Sequence, residues 1–243
     1  MKEIGQIKKI SIWIFIIPLV VINLCLFISI NGHLLQTTIF QVDAIGRSSF
    51  TIPYIDGGVS ISRIVRTYPA FLLFKPGMII TAILLIQYWI ANNKLFKKIN
   101  NSGDKNNLFL IFGVGSALFL ILHSLFLGIN FDVDIYKFLR RFVLLGFIIF
   151  EIIAQAILVI NIFKHKNKII KFINKKILIL KMILVSLLVI VAVLSAPILN
   201  SEEHDLFKHA LEWNYFVGVI TFYLLTFLFW KKDQTSVHTP EGV

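Results

Sequence analysis

The sequence predicts an all-α polytopic membrane protein with six transmembrane helices, both termini cytoplasmic, and one longer outer loop between helices 1 and 2. Three observations carry this reading. Hydrophobic residues make up 57% of the 243 positions and charged ones only 15%, against about 45–50% and roughly 25% in a soluble domain. Mean hydropathy is +0.83. Six apolar runs approach the length of about 20 residues that a helix needs to cross a hydrocarbon core about 30 Å thick. Together these exclude an ordinary cytosolic enzyme, a secreted disulfide scaffold and a disordered regulator. The single cysteine, Cys25, cannot form an intramolecular disulfide.

The first run, 10–30, carries no charge. Lys2, Lys8 and Lys9 precede it and no Ala-x-Ala site follows, so it reads as an uncleaved signal anchor. Pro18 and Asn23 within it predict a kink and a buried hydrogen bond. The second span, 70–92, runs between Lys75 and Lys94 with an outer turn starting at Pro69. The third, 107–129, contains His123, and the fourth, 142–163, is apolar except for Glu151. The fifth, 177–199, holds only Lys181, near one end, where a long side chain can snorkel to the interface. The sixth, 211–230, has Glu212 at its start and Lys231 just beyond its end. Residues 1–232 therefore form one six-helix domain, followed by a disordered tail over 233–243.

Orientation follows from the basic residues. With the N-terminus inside, the inner segments hold 16 lysines and the outer ones hold eight cations: Arg47, Arg63, Arg66, Lys75, Lys137, Arg140, Arg141 and Lys208. This bias places both termini in the cytoplasm. It also accounts for the net charge of +11, as lysines beside anionic lipid, without nucleic acid as a partner. All five arginines fall outside while every inner cation is lysine. Arginine is the planar bidentate donor suited to phosphate or carboxylate, and ordinary headgroup anchoring is the plainer alternative.

The longest segment between spans, 31–68, is too short to fold as a domain. Within it 49–54 reads as extended and Asp56-Gly57-Gly58 as a turn, predicting a short hairpin or re-entrant cap over the outer helix ends. The inner loops, 92–107 and 164–176, are short, lysine-rich connectors. Asn100-Asn101-Ser102 matches a glycosylation acceptor but falls on the cytoplasmic side.

Ionisable groups in hydrocarbon are costly, so each is a functional candidate. Glu151 and His123 both fall roughly 14 Å below the outer boundary, at about 1.5 Å per residue. The third and fourth spans are antiparallel neighbours, so a His123–Glu151 contact is expected, either as structural glue or as a proton relay. Gln155 extends the same face one turn on. Gly113, Ser116, Ala117, His123, Ser124 and Gly128 share one arc of the third helix, and small residues let helices approach closely in lipid. Glu212, Tyr215, Tyr223 and Thr226 share a face of the sixth.

Metal chemistry has weak candidates. Asp205 and His209 stand four residues apart on one helical face, with His33, His204, Glu202 and Glu203 nearby. A zinc-dependent membrane hydrolase needs about three ligands converging at one depth, which makes such a lipid hydrolase the third reading. No Gly-x-Ser-x-Gly, His-Glu-x-x-His or P-loop pattern occurs, and no cofactor or catalytic residue is predicted.

The six spans, the outer loop carrying Pro53-Tyr54-Ile55-Asp56-Gly57, the outer Phe of the segment 73–89, His123 in the third span and Glu212-Trp213 opening the sixth resemble the Frag/DRAM/Sfk family. That family includes the damage-regulated autophagy modulators, the FGF-receptor-activating protein and the N-terminal part of proteins that exchange GPI-anchor lipid for ceramide. Where members often have a Pro-Glu step after the outer loop, this chain has Arg66-Thr67-Tyr68-Pro69-Ala70. The resemblance implies lipid organisation, lipid remodelling or membrane-trafficking regulation.

The expected function is thus lipid binding at the outer leaflet of a plasma or bacterial inner membrane. Arg63, Arg66, Arg140 and Arg141 would hold the headgroup, the turn of Pro53, Tyr54, Asp56 and Gly57 would cap it, and His123, Glu151, Gln155 and Glu212 would form the polar interior. The alternative is a small proton-coupled transporter built on the Glu/His pair.

Overall fold

The computed structural model describes residues 2–32, 51–99, 107–127, 134–199 and 204–231. His33, Arg47, Ser49, Phe50, Gly128, Glu202, Glu203, the 100–102 acceptor pattern and the expected tail lie outside them. Six helices are long and apolar enough to cross a membrane. We number them span 1 (Lys2–Ile30), span 2 (Ala70–Ile99), span 3 (Leu108–Phe126), span 4 (Asp134–Lys164), span 5 (Lys175–Leu199) and span 6 (Asp205–Phe229). Spans 1, 4 and 6 begin earlier than their apolar runs. A helix has no reason to stop at the hydrocarbon boundary, because its backbone bonds are internal.

Each span packs on its neighbours in sequence, and span 6 closes on span 1, so the six helices form a ring in chain order. Spans 3 and 4 share the most extensive interface. The small-residue arc of span 3 faces inward as its spacing predicts: Gly113, Ser116, Ala117, His123 and Ser124 are all buried. A Cβ at Gly113 would stand 2.3 Å from the Trp89 ring, so the absent side chain is what admits the indole. Large apolar side chains such as Phe27, Ile111, Phe142, Ile183 and Leu228 stay exposed around the outside. That is far more apolar surface than a soluble monomer shows, and lipid is its natural solvent.

The two ends of the ring differ. At the terminal end, Lys98 pairs with Glu3, Lys8 Nζ donates to the Trp230 carbonyl at 3.0 Å, and Asn174 N–H donates to Phe229 O at 2.9 Å. The start of span 1, the end of span 2 and the end of span 6 therefore lie at one end of the bundle. Span 1 continues as one helix through Pro18. Asn23 makes the expected buried bond, donating to Leu19 O at 2.8 Å.

At the other end residues 51–69 lie over the helix ends; the turn expected at Asp56-Gly57-Gly58 is present, but Pro53 and Tyr54, at the end of the stretch that reads as extended, are helical. Pro53–Asp56 forms one helical turn and Ile61–Ile64 another. Asp56 is the reason. Its carboxylate accepts from Thr51 Oγ1 at 2.7 Å, Ile52 N–H at 2.9 Å and Gly58 N–H at 2.8 Å, which winds the chain around it. Pro53 at the first helical position favours that winding. Gly57 then reverses the chain at φ 60°.

Span 6 anchors this cap. Trp213 Nε1 donates to Val59 O at 2.8 Å, Asn214 Nδ2 to Tyr54 O at 2.7 Å, and the His209 ring nitrogen Nδ1 to Gly57 O at 3.0 Å. Tyr54 OH reaches span 1 at Asn23 Oδ1, 3.0 Å away. Burial pushes the Tyr54 phenol upward from its ordinary range, and the Asn23 bond opposes that.

Lys181 departs from expectation. It does not snorkel: its side chain is 0% exposed, turned into the bundle toward span 6. Span 5 is the least buried of the six, and Lys181 lies on the face it shares with span 6.

Gly57→Ala should destabilise the cap by about 2 kcal/mol or more. The backbone there is left-handed and an added Cβ would lie 1.7 Å from Leu206 O. Thermal unfolding in detergent reads this as a lowered midpoint; an unchanged midpoint would contradict the packing described.

Candidate functional site

Polar chemistry collects in two places, one under the cap and one at the middle of the bundle. Under the cap, the turn Ile61–Ile64 and the residues after it carry Arg63 and Arg66, span 4 brings Arg140, and span 6 brings Glu212. Arg66 is half-buried and its Nε donates to Ser62 O at 2.6 Å. Burial first, then the charges of Arg140 and Arg63, hold its guanidinium below the usual range, while Glu212 pulls the other way. The group still carries its charge at neutral pH. Glu212 spends one carboxylate oxygen on Ser62 N–H at 3.1 Å. Among the described residues no carboxylate comes within ion-pair distance of Arg63, Arg66, Arg140 or Arg141. Arg63 and Arg141 are exposed and Arg140 half-buried. Consecutive helical residues point about 100° apart, so Arg141 turns away from the face that Arg140 occupies.

The cap residues lie against span 6 rather than in open solvent. Pro53 and Gly57 are buried, Tyr54 is half-buried, and Asp56 is exposed around its turn. The Tyr54 ring meets Trp213 edge to face at 4.8 Å.

At the middle of the bundle Glu151 is buried at 1% exposure. Ser116 of span 3 donates to its Oε2 at 2.6 Å. Gln155 of span 4 donates to its Oε1 at 3.0 Å, and the Tyr223 hydroxyl of span 6 bonds the same oxygen. Gln155 Nε2 also reaches Val219 O at 3.3 Å, leaving its own carbonyl oxygen without a partner. Three helices are thereby tied to one carboxyl group.

His123 is not among those partners, so the expected His123–Glu151 contact does not form. The ring is buried against Phe74, edge to face at 6.5 Å, and its Nδ1 has no hydrogen-bond partner. It sits instead where the charges of Arg140 and Arg66 act on it. Ser116 faces Glu151, and His123 stands seven residues, about 10 Å, further toward the capped end on the same face of span 3. The apolar run of span 4 starts eight residues after the helix does, which makes Glu151 look as shallow as His123 from the sequence.

Asp205 and His209 do not converge on a common point. Asp205 accepts from Lys208 Nζ at 3.2 Å, and His209 Nδ1 is engaged by the Gly57 carbonyl. Among the described residues no group of three or more His, Cys, Asp or Glu side chains is arranged to hold a metal ion.

Tyr223 and Thr226, which share a face of span 6 as expected, meet Tyr88 of span 2, a residue that sequence reading did not single out. Their signal was a hydroxyl at each of three buried helical positions on spans 2 and 6. An apolar groove bordered by Phe163, Met182, Ser186 and Leu187 lies between spans 4 and 5, with almost no polar chemistry to offer.

Fold and site together define an integral membrane protein of six spans with a polar interior and a cationic cluster beneath an end cap. No family model matches the chain, and neither does any curated protein or solved structure.

Ser116→Ala should cost about 1–2 kcal/mol, because it leaves the buried Oε2 of Glu151 without its Ser116 donor. Equilibrium unfolding in mixed micelles would measure this, and a loss within error of zero would mean that Glu151 finds another partner.

Proposed function

We propose that this protein binds an anionic lipid headgroup at its capped end, on the outer leaflet, with both termini in the cytoplasm. One observation carries the reading: the half-buried Arg66 guanidinium feels the charges of Arg140 and Arg63, opposed by Glu212, and has no carboxylate within ion-pair distance among the described residues. Three like charges held together repel one another, and the cluster is relieved by an anion that accepts hydrogen bonds in a plane, as phosphate does. Arg66 would make the direct contact, using the terminal nitrogens that Ser62 leaves free. Arg63 and Arg140 flank it, and the exposed Arg141 adds to the field that draws in an acidic headgroup. The acyl chains would lie against the apolar outer surface of the spans.

The lysine-rich terminal end supports the same orientation through the charge bias of the loops. The resemblance to Frag/DRAM/Sfk proteins supports a lipid-directed role and is part of this proposal. A plasma membrane or bacterial inner membrane is the setting it implies. We infer no enzymatic activity.

Native mass spectrometry of gently extracted protein tests the reading. Wild type should retain a discrete anionic phospholipid, and the Arg63→Lys/Arg66→Lys double variant, which keeps the charge and loses the fork, should retain several-fold less. Equal retention by the two would overturn the proposal. Metal analysis of the same sample would expose a bound zinc and revive the hydrolase reading.

A further inference from the structure

Lys181 is a buried cation that the headgroup site does not use. It lies six residues into span 5 from the terminal end, about 9 Å along the helix axis. Its Nζ donates to Thr226 Oγ1 at 2.7 Å and stands 3.9 Å from the centre of the Phe222 ring and 5.4 Å from that of Phe229. Among the described residues no carboxylate is within ion-pair distance. Burying an ammonium without its counterion is costly, and the cost points to a charge compensated through a network rather than by direct contact.

The hydroxyls supply that network. Thr226 Oγ1 is 3.3 Å from Tyr88 OH of span 2. The Tyr88 and Tyr223 rings meet edge to face at 5.0 Å, and the Tyr223 hydroxyl bonds Glu151. Every link but one is a hydrogen bond. The remaining link, from Tyr88 to Tyr223, must close by a swing of one ring or through one water. Both hydroxyls lie within range of the Glu151 charge.

We propose that Lys181, Thr226, Tyr88, Tyr223 and Glu151 form a proton-transfer chain from the terminal third of the bundle to its centre. The Lys181 ammonium gives a proton to Thr226 Oγ1, and the Thr226 hydroxyl, which bonds Phe222 O at 2.9 Å when idle, turns to pass its own hydrogen to Tyr88. Tyr88 passes one to Tyr223, and Tyr223 passes one to the Glu151 carboxylate. Lysine ends as the amine and glutamate as the acid. Each hydroxyl gives one hydrogen and gains one, so the total charge is unchanged. The other groups facing this chain are few. Span 2 adds Asn92, whose side chain lies at the Tyr88 hydroxyl. Span 3 contributes Ser116 and span 4 contributes Gln155, both on Glu151. Span 1 contributes Lys8, held at the terminal end by Trp230 O and lying over the Phe227 ring at 5.0 Å. His123 is outside it. The chain lets a proton reach the Glu151 carboxyl group from the terminal end of the bundle, which is an element that a proton-coupled device requires.

Infrared spectroscopy on the full chain in lipid nanodiscs tests this. Glu151→Gln identifies the protonated-carboxyl band of Glu151, and its hydrogen–deuterium exchange is timed in wild type, Thr226→Val, Thr226→Ser and Tyr88→Phe. Exchange should slow about tenfold or more in Thr226→Val and Tyr88→Phe, while Thr226→Ser, which keeps the hydroxyl, should exchange at the wild-type rate. A wild-type rate in Thr226→Val or Tyr88→Phe would overturn the proposal, as would slow exchange in Thr226→Ser. The absence of any Glu151-dependent band over the pH range in which the protein stays folded would overturn it as well.

Discussion

A carboxyl group at the middle of a lipid-embedded bundle has no water to bond, so the helices around it must bring their own donors. Glu151 obtains them from Ser116, Gln155 and Tyr223, which belong to spans 3, 4 and 6. This requirement fixes more than one residue. It sets the rotation of span 3, whose small residues then meet Trp89, and it draws span 6 inward beside span 4 through Gln155 and Val219. In lipid, apolar contacts give helices little reason to prefer one another over acyl chains. Polar bonds of this kind select one arrangement from many that pack equally well.

The capped end obeys a different rule. Arg63, Arg66 and Arg140 act on one another there with Glu212 as the one opposing charge on Arg66 among the described residues, and no carboxylate comes within ion-pair distance. The loop above them is held mainly by side chains of span 6, Trp213, Asn214 and His209, each spending a polar atom on a backbone carbonyl. A loop whose carbonyls are taken in this way is rigid without being a domain. The cationic cluster therefore sits on a fixed platform although it lies between helices rather than on one.

Much of this was legible in the sequence. Length and hydropathy sufficed for the six spans, and the spacing of Gly113, Ser116, Ala117 and Ser124 showed which face of span 3 is buried. What failed was partner choice. His123 and Ser116 stand seven residues apart on one face of span 3, so the difference is depth: span 4 begins at Asp134, eight residues before its apolar run, and Glu151 lies about two turns deeper than His123. Lys181 was misread for another reason. A lysine near a helix end can run outward to the interface or inward to a hydroxyl, and only the position of Thr226 on a distant helix decides between them. At the cap the turn at Asp56 and Gly57 is as expected, but Pro53 and Tyr54, which read as extended, open a helical turn. Its winding depends on one carboxylate collecting three donors, which no periodicity reveals.

The order of the ring bears on how the molecule is built. Ribosomes deliver spans from first to last, and each new helix finds its predecessor already in the bilayer as a template. The closing surface, however, belongs to span 6, which carries the anchors of the cap as well as Tyr223 and Thr226. The loop between spans 1 and 2 is synthesised early, yet most of its bonding partners arrive last. Until then Glu151 lacks its Tyr223 donor and the arginines have no platform. A nascent chain stalled after span 5 would thus present an open, polar seam to the insertion machinery and to membrane proteases, a natural checkpoint by which quality control could distinguish unfinished molecules from finished ones.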